Sequence, residues 1–488
     1  MTVRREPGEF SMNRAHDATT VKSRKVRGRD AADHWKARRD GLLFLIFPAM
    51  LVLTGLEVLL SGRNLTEAFL MLERETQALE QAVRNPAIAW LQRGVSLLLL
   101  AVCFERIVSH FAQRKPLPSP ALTSSFILFW VTTVAITAVA APHPRISHEY
   151  LYPLVLGIAC SLSGPLDRDR ILATVRNSLF IFMLAGAVLI PINPGLVLDN
   201  SYMQGLIPGL PRFGGLTPHP VMMGMLAQIA LVILWVRPFK RGWLNFAAWL
   251  LGLAVLFVAQ SKTAWLCFLI SACCLMVVRR GSDAVHKAGD PRASSFGVGL
   301  LLMAITAVLG VLVAVLVFDL PTMISDFFNT SAGAQLASLT GRDRIWVVAL
   351  EEWGHNPILG YGLTIWDADY RQAIGMPQAT HAHNQFLDTL SRSGLVGASG
   401  LVIYAVVLTV MAFRYARATG GLSLALWFST ALPAVSEVPL LLADYGSHVM
   451  THFLLIIAVA SGAAARVASK APQAVTRNPI EPSLRTAA

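Results

Sequence analysis

The sequence predicts an all-α polytopic membrane protein of about twelve transmembrane helices, with a large, partly helical periplasmic loop between helices nine and ten. Three observations carry this expectation. Of the 488 residues 54% are hydrophobic and only 14% are charged, and the mean hydropathy is +0.55, which lies outside the range of soluble globular chains. Apolar runs long enough to span a bilayer recur along the chain. The loops between them alternate in charge, so that Lys and Arg collect on one side. A net charge of +12 would also suit a nucleic-acid binder, but this placement of the basic residues points to a membrane and away from nucleic acid. All five cysteines, Cys103, Cys160, Cys267, Cys273 and Cys274, fall inside apolar runs, where thiols act as small hydrophobes, and they offer no disulfide framework or zinc spacing.

Taken in order, residues 1–40 are polar, hold eleven Lys or Arg, and read as a disordered basic cytoplasmic tail able to touch anionic lipid. The run that follows Arg38-Arg39 is long enough to span and many more follow it, so it reads as helix one rather than a cleaved export signal. The expected spans are 41–61, 88–104, 121–141, 149–164, 171–193, 219–236, 244–260, 263–278, 297–318, 394–413, 421–441 and 446–464. They divide the chain into helices one to nine (41–318), the large loop (319–393), helices ten to twelve (394–464) and a second cytoplasmic tail (465–488). Breakers such as Lys115-Pro116-Leu117-Pro118 and Ala141-Pro142-His143-Pro144 separate them, as loops require. With the N-terminus inside, inner segments hold 29 of the 41 Lys and Arg, outer ones ten, and Arg93 and Arg176 lie within spans. Both termini are therefore expected in the cytoplasm. The large loop and a smaller one, Pro194 to Pro218, are expected outside, in the periplasm of a Gram-negative cell.

The large loop carries its own amphipathic pattern. Ile345, Trp346, Val348, Ala349 and Trp353 recur near helical spacing, which predicts a helix from about Arg342 to Trp353, stopped near Asn356-Pro357. Arg342 and Trp346 would share one face of it. Further on, His381-Ala382-His383-Asn384 is followed after nine residues by Gly394, Gly397 and Gly400. Glycines three apart predict a helix face that another backbone can approach closely.

These motifs resemble the signature of the O-antigen ligase and polymerase superfamily. Gly341-Arg342 with Trp346, Asn356-Pro357 with Gly360 and Gly362, and His383-Asn384 with the spaced glycines are similar to its large-loop motifs. Pro211-Arg212-Phe213-Gly214-Gly215 with His219-Pro220 is similar to its smaller-loop motif, and Gln260-Ser261-Lys262 to its short Ser-Arg turn, although Lys262 stands where Arg is commoner. The resemblance spans roughly Arg212 to Gly400. It implies an enzyme of the bacterial inner membrane that moves glycans off undecaprenyl diphosphate at the periplasmic face. The implied partners are an undecaprenyl-diphosphate-linked oligosaccharide donor, a glycan or lipid A–core acceptor, membrane lipids, and a chain-length regulator and flippase. No cofactor is implied.

The residues suit that chemistry. Glycan transfer from a lipid diphosphate needs a base for the acceptor hydroxyl and cations for the departing diphosphate. His383 is the expected base, since an ordinary imidazole with a pKa of about 6.5 is available as a neutral acceptor. Arg342 and Arg212 are the expected diphosphate clamps, with Lys262 as a third cation. Asn384, His381, Trp346 and His219 are expected to shape the pocket, and Gly394, Gly397 and Gly400 to pack the helix. Direct displacement would invert the anomeric carbon, with no covalent intermediate and no metal.

Each assignment has a competing reading. His383 could simply sit hydrogen-bonded at a helix start. His381 and His383 could hold a metal, but the sequence positions no acidic or sulfur partner for them. Arg342 and Arg344 could anchor at headgroups, a reading preferred for Arg344 alone. Lys262 is as well explained by snorkelling from its short turn. Asp367-Ala368-Asp369 reads as a solvated turn, and Trp366 as part of an interfacial belt. Glu57 and Glu437, near outer helix ends, are each candidates to pair with an arginine.

Within the resemblance, a polymerase extending an exopolysaccharide or O-antigen is favoured by Gly360-Tyr361-Gly362 and His383-Asn384-Gln385-Phe386. A ligase acting on lipid A–core is the alternative. A twelve-helix transporter or flippase is the competing class. It would show two related halves and polar residues at the midplane, whereas here the longest connection follows span nine and the ionisable residues cluster at one face.

Overall fold

A computed structural model describes residues 42–66, 86–201, 209–288, 342–377, 379–443 and 445–470. The expected span 297–318, the tail 1–40, Gly341 and residues 471–488 lie outside the described residues. The regular structure of the described chain is helical apart from one two-stranded ladder. Its helices are α1 (Ile46–Ser61), α2 (Pro86–Ala112), α3 (Pro120–Ala140), α4 (Leu151–Ser161), α5 (Pro165–Val188), α6 (Pro220–Val236), α7 (Gly242–Val258), α8 (Lys262–Ala288), α9 (Arg342–His355), α10 (Ala368–Ala373), α11 (Gln385–Arg414), α12 (Leu422–Ala431) and α13 (Met450–Lys470). The ladder pairs β1 (Leu198–Asp199) with β2 (Arg212–Phe213), antiparallel.

Among the described residues seven helices are long and apolar enough to cross a membrane. Three shorter apolar helices, Pro220–Val236, Gly242–Val258 and Leu422–Val435, accompany them. The protein is thus a multi-pass, all-α membrane protein, while full-length helices account for fewer crossings than the twelve expected. Two expected spans end differently in a way that matters below. The helix expected over 219–236 begins at Pro220, leaving His219 outside it as the cap. The helix expected over 421–441 has ended by Val435, which leaves Glu437 in the irregular segment beyond.

Two helices form the interior. Most residues of Ser447–Val467 are buried, and α13 there touches α4, α5 and α12. α6 is buried along nearly its whole length and touches α5, α7, α8 and α12. Gln228 on α6 donates to Ser429 Oγ on α12 at 2.8 Å, a polar contact of the kind that joins helices where no hydrophobic drive exists between them. Outward-facing Leu97, Phe104, Ile181 and Phe246 are 66–71% exposed, an arrangement that suits hydrocarbon and would be a liability in water.

The feature that positions the large loop is a break in α11. Gly394 has φ 57° and ψ −156° inside that helix. An unbroken helix would bond Leu395 N–H to Ser391 O and Val396 N–H to Arg392 O. Instead Leu395 and Val396 donate to Pro357 O (2.8 Å) and Ile358 O (3.1 Å), while Ser391 O and Arg392 O accept from Tyr361 N–H (2.8 Å) and Gly362 N–H (3.0 Å). The segment Pro357–Gly362 has inserted into the gap, so every group that the break would orphan is paired. A Cβ on Gly360, which sits at φ 69°, would meet Gly394 N and Ser391 O at 2.7 Å, so the approach requires glycine on both sides. The close backbone approach expected at Gly394 comes from the inserted Pro357–Gly362 segment, and the helix breaks there: Gly394 ends one helical segment and starts another. At Gly400 a Cβ would overlap Thr132 of α3, and at Gly397 it would meet Ser393 of its own helix.

The loop also has its own core, built from Ile345, Ala349, Ile365, Trp366, Met376, Ala379 and Ala382. Trp366 is only 4% exposed, so it is a core residue and not the interfacial one expected. His143 stacks on Tyr361 with ring centroids 3.9 Å apart, and Arg145 pairs with Asp367. These contacts tie the 141–150 connection to the same loop. Asp367 is the N-cap residue of α10.

Gly394→Ala is expected to lower stability by about 2–4 kcal/mol, from the left-handed backbone and the overlap with Ile358 O. Gly354→Ala, at an exposed helical position with nothing within 4 Å, should be neutral or gain up to about 1 kcal/mol. Thermal unfolding of the purified variants compares them, and equal melting would contradict the inserted-loop account.

Candidate functional site

Three segments meet at the start of α11. Asn384 is the N-cap, accepting from Phe386 N–H and Leu387 N–H, both at 3.0 Å, as a capping amide does. Its Nδ2 also donates to Val435 O at 3.2 Å. The next residue, Gln385, accepts from Leu440 N–H at 2.8 Å. The first residues of α11 thereby hold the segment after α12 against the histidine turn. That segment carries Glu437.

Glu437 is the centre of the cluster. Its Oε1 lies 3.3 Å from Arg342 NH2, at the first residue of α9. Its Oε2 lies 3.4 Å from His383 Nδ1 and 3.6 Å from His381 Nε2. The four side chains keep 21–27% of their surface, so they are packed yet reachable. His381 Nδ1 accepts the His383 backbone N–H at 3.1 Å, which fixes its neutral tautomer with the proton on Nε2, facing Glu437. Trp346, on α9, donates Nε1 to Ala382 O at 2.9 Å and so holds the residue between the two histidines.

Burial alone would push the Glu437 carboxyl up. Contact with His383 and the charges of His383, His381 and Arg342 outweigh burial, and the carboxyl is held below its usual range. It is ionised at neutral pH. His381 is pushed down to about 3, chiefly by burial and then by His383, and so is neutral. His383 Nδ1 lies 3.4 Å from this carboxylate without a formed hydrogen bond; where Nδ1 carries a proton toward it, Nε2 is the nitrogen that accepts.

The smaller loop arrives from the other side. Arg212 sits on β2, 5% exposed, with Nε donating to Ala259 O at 2.9 Å. Arg63 braces the loop through Leu196 O (3.2 Å), Pro218 O (2.6 Å) and Gly215 O (3.1 Å). His219 caps α6, its Nδ1 accepting from Val221 N–H at 3.1 Å, next to Pro220 at the first helical position. Burial, then Arg212, His383, Arg63 and Arg342, in that order, push His219 down to about 3. His219 thus lies within electrostatic range of both the smaller-loop Arg212 and the large-loop His383 and Arg342.

Of the residues expected from sequence, His383, His381, Arg342, Trp346 and Asn384 come together directly, while His219 lies within electrostatic range of His383 and Arg342, and Arg212 within that of His219. Lys262 does not join. It is the exposed first residue of α8, and among the described residues no hydrogen bond or ion pair links it to the cluster. Its turn does reach the smaller loop, where Gln260 Nε2 donates to Leu210 O at 2.9 Å. Arg344 is exposed. Of the two glutamates, Glu437 takes Arg342, while Glu57 accepts from Gln92 at 2.8 Å.

Sequence spacing supplied no acidic partner for the histidines, and the fold brings one. One ligand atom each from His381, His383 and Glu437 lies within 4.8 Å of the others, a donor set able to take a divalent cation. Arg63 was also not foreseen. Its only signal was position, a basic residue just after an apolar helix.

Residues 246–402 match the family described as O-Antigen ligase. The match supports the O-antigen ligase and polymerase superfamily for this chain. Arg342, His381, His383, Lys262 and the three spaced glycines fall inside it, and Arg212, His219 and Glu437 outside. No curated protein matches the chain.

The pKa of His381 gives a pH prediction. Its imidazole binds a proton below about pH 6.5 in the unfolded chain but only near pH 3 in the folded one. The unfolded chain therefore holds more protons through this window, and stability should fall as pH falls through it. His381→Gln should melt with a shallower dependence on pH between 6.5 and 4 than the wild type. An identical slope would contradict a buried neutral His381.

Proposed function

We propose that the chain is a lipid-diphosphate-dependent glycosyltransferase of the bacterial inner membrane that polymerises the repeat units of an exopolysaccharide or O-antigen. The observation that carries this reading is His383, with one ring nitrogen against ionised Glu437 and the other left to act as a base, beside Arg342. The donor is an undecaprenyl-diphosphate-linked oligosaccharide, and the acceptor a glycan hydroxyl. His383 Nε2 takes the acceptor proton as that oxygen attacks the anomeric carbon. The bond from this carbon to the diphosphate oxygen breaks, its electron pair leaves on the diphosphate, and Arg342 and Arg212 stabilise the charge. One displacement inverts the carbon without a covalent enzyme intermediate. Glu437 keeps the imidazole oriented and stabilises the imidazolium formed.

Arg342 already occupies one Glu437 oxygen, and the surrounding field is cationic. Both features favour a metal-independent mechanism in which guanidinium groups do what a cation would otherwise do. The count of basic residues supports a site on the periplasmic side with both termini in the cytoplasm. A chain-length regulator and a flippase would act beside such an enzyme.

His383→Ala should lose release of undecaprenyl diphosphate by at least about 100-fold while inserting normally, and wild-type turnover in that variant would remove His383 as base. Activity should persist in excess chelator. A cysteine placed at exposed Thr380 should react with an impermeant thiol reagent from the periplasmic side, and labelling from the cytoplasm alone would reverse the topology. Deletion with glycan analysis separates the two members of the superfamily: single repeat units left on lipid indicate the polymerase, and full-length unattached polymer the ligase.

A further inference from the structure

His383 occupies a positive-φ backbone conformation that few non-glycine residues adopt. Its φ is 49°, in the left-handed region, which a non-glycine residue keeps only where the surroundings over-determine it. The residue before it is gripped at both ends. Ala382 N–H donates to Asp388 Oδ1 at 3.0 Å, and Ala382 O accepts from Trp346 Nε1 at 2.9 Å. Asp388 is 1% exposed and accepts from Arg392 Nε at 2.8 Å through its other oxygen. Arg392 NH1 in turn donates to Leu363 O at 2.7 Å. The pair stands one turn apart on α11, between the histidine turn and the break at Gly394, so it joins the two.

A buried ion pair is a poor way to gain stability, because desolvation offsets most of the attraction, and well-packed apolar residues often do as well. What such a pair supplies is register. The carboxylate needs both the guanidinium and the Ala382 amide, and only one placement of the turn offers them together. We infer that Asp388, locked by Arg392 and assisted by Trp346, is a positioning residue for the glycosyl transfer: it holds the Ala382 peptide so that His383 stays in its left-handed conformation with Nδ1 on Glu437. Neither Asp388 nor Arg392 acts on substrate. This inference rests on the reading of His383 as the base, and its test separates the two.

The test uses the full-length protein in nanodiscs, with a polyprenyl-diphosphate-linked oligosaccharide as donor and hydrogen exchange of residues 381–384 as a readout independent of activity. Asp388→Ala should lower kcat about 100-fold, the cost of an ångström-scale misplacement, leave the donor KM unchanged, and speed exchange at the Ala382 and His383 amides. Asp388→Asn keeps an oxygen for the Ala382 amide and should recover at least tenfold of the loss. Should Asp388→Ala fail to fold, Trp346→Phe removes only the indole donor and should lower kcat about tenfold at unchanged KM. Unchanged exchange in these variants, faster exchange with unaltered kcat, or a rise in KM alone would each overturn the inference. If His383→Ala keeps full activity, the base assignment falls instead, and the exchange result still decides whether the clamp exists.

Discussion

A backbone that stops being helical next to a membrane must pair its freed N–H and C=O groups, since each one left alone in an apolar setting costs several kcal/mol. Gly394 creates that requirement in α11, and the Pro357–Gly362 segment meets it with four main-chain hydrogen bonds. Much else follows from this. The large loop is fastened to the bundle by backbone hydrogen bonds, to which side-chain contacts such as Arg392 with Leu363 O are added. α9 is thereby delivered against the start of α11, and the histidine turn lies between them. The glycines at 360 and 394 are needed because two backbones touch there.

Once docked, the loop faces a problem of charge. Arg342 from α9 and Arg212 from the smaller loop approach a cluster of imidazoles, and Glu437 is the carboxylate that contacts Arg342, His381 and His383. Burial resolves part of the repulsion by keeping His381 and His219 neutral. The remaining positive character is what an incoming diphosphate would satisfy. The same arrangement sets a carboxylate against one ring nitrogen of His383, which would orient the proposed base without blocking it.

The transmembrane helices among the described residues were legible because a twenty-residue apolar run has few other fates, and α9 because Ile345, Ala349 and Trp353 repeat with helical period. The catalytic candidate was legible through its motif. Glu437 could be named only as a possible arginine partner, for its neighbours come from stretches far apart in the chain and no local pattern records that meeting. Gly394 was legible as a place where another backbone comes close, but not as a break in the helix, because the segment that fills the break lies more than thirty residues upstream. Trp366 misled for a similar reason. Beside a bilayer a tryptophan suggests an interface, but this one fills a small core that the loop builds for itself.

The most direct measurement is a structure of the purified protein with a short-chain polyprenyl diphosphate that lacks a sugar. The account predicts its phosphate oxygens within hydrogen-bonding reach of Arg342 and Arg212, with His383 Nε2 set off from the terminal phosphate oxygen by the space of an anomeric carbon and an attacking hydroxyl, in line with the bond that would break. A diphosphate bound out of reach of both guanidinium groups, or on the far side of the bundle from the histidine turn, would contradict it.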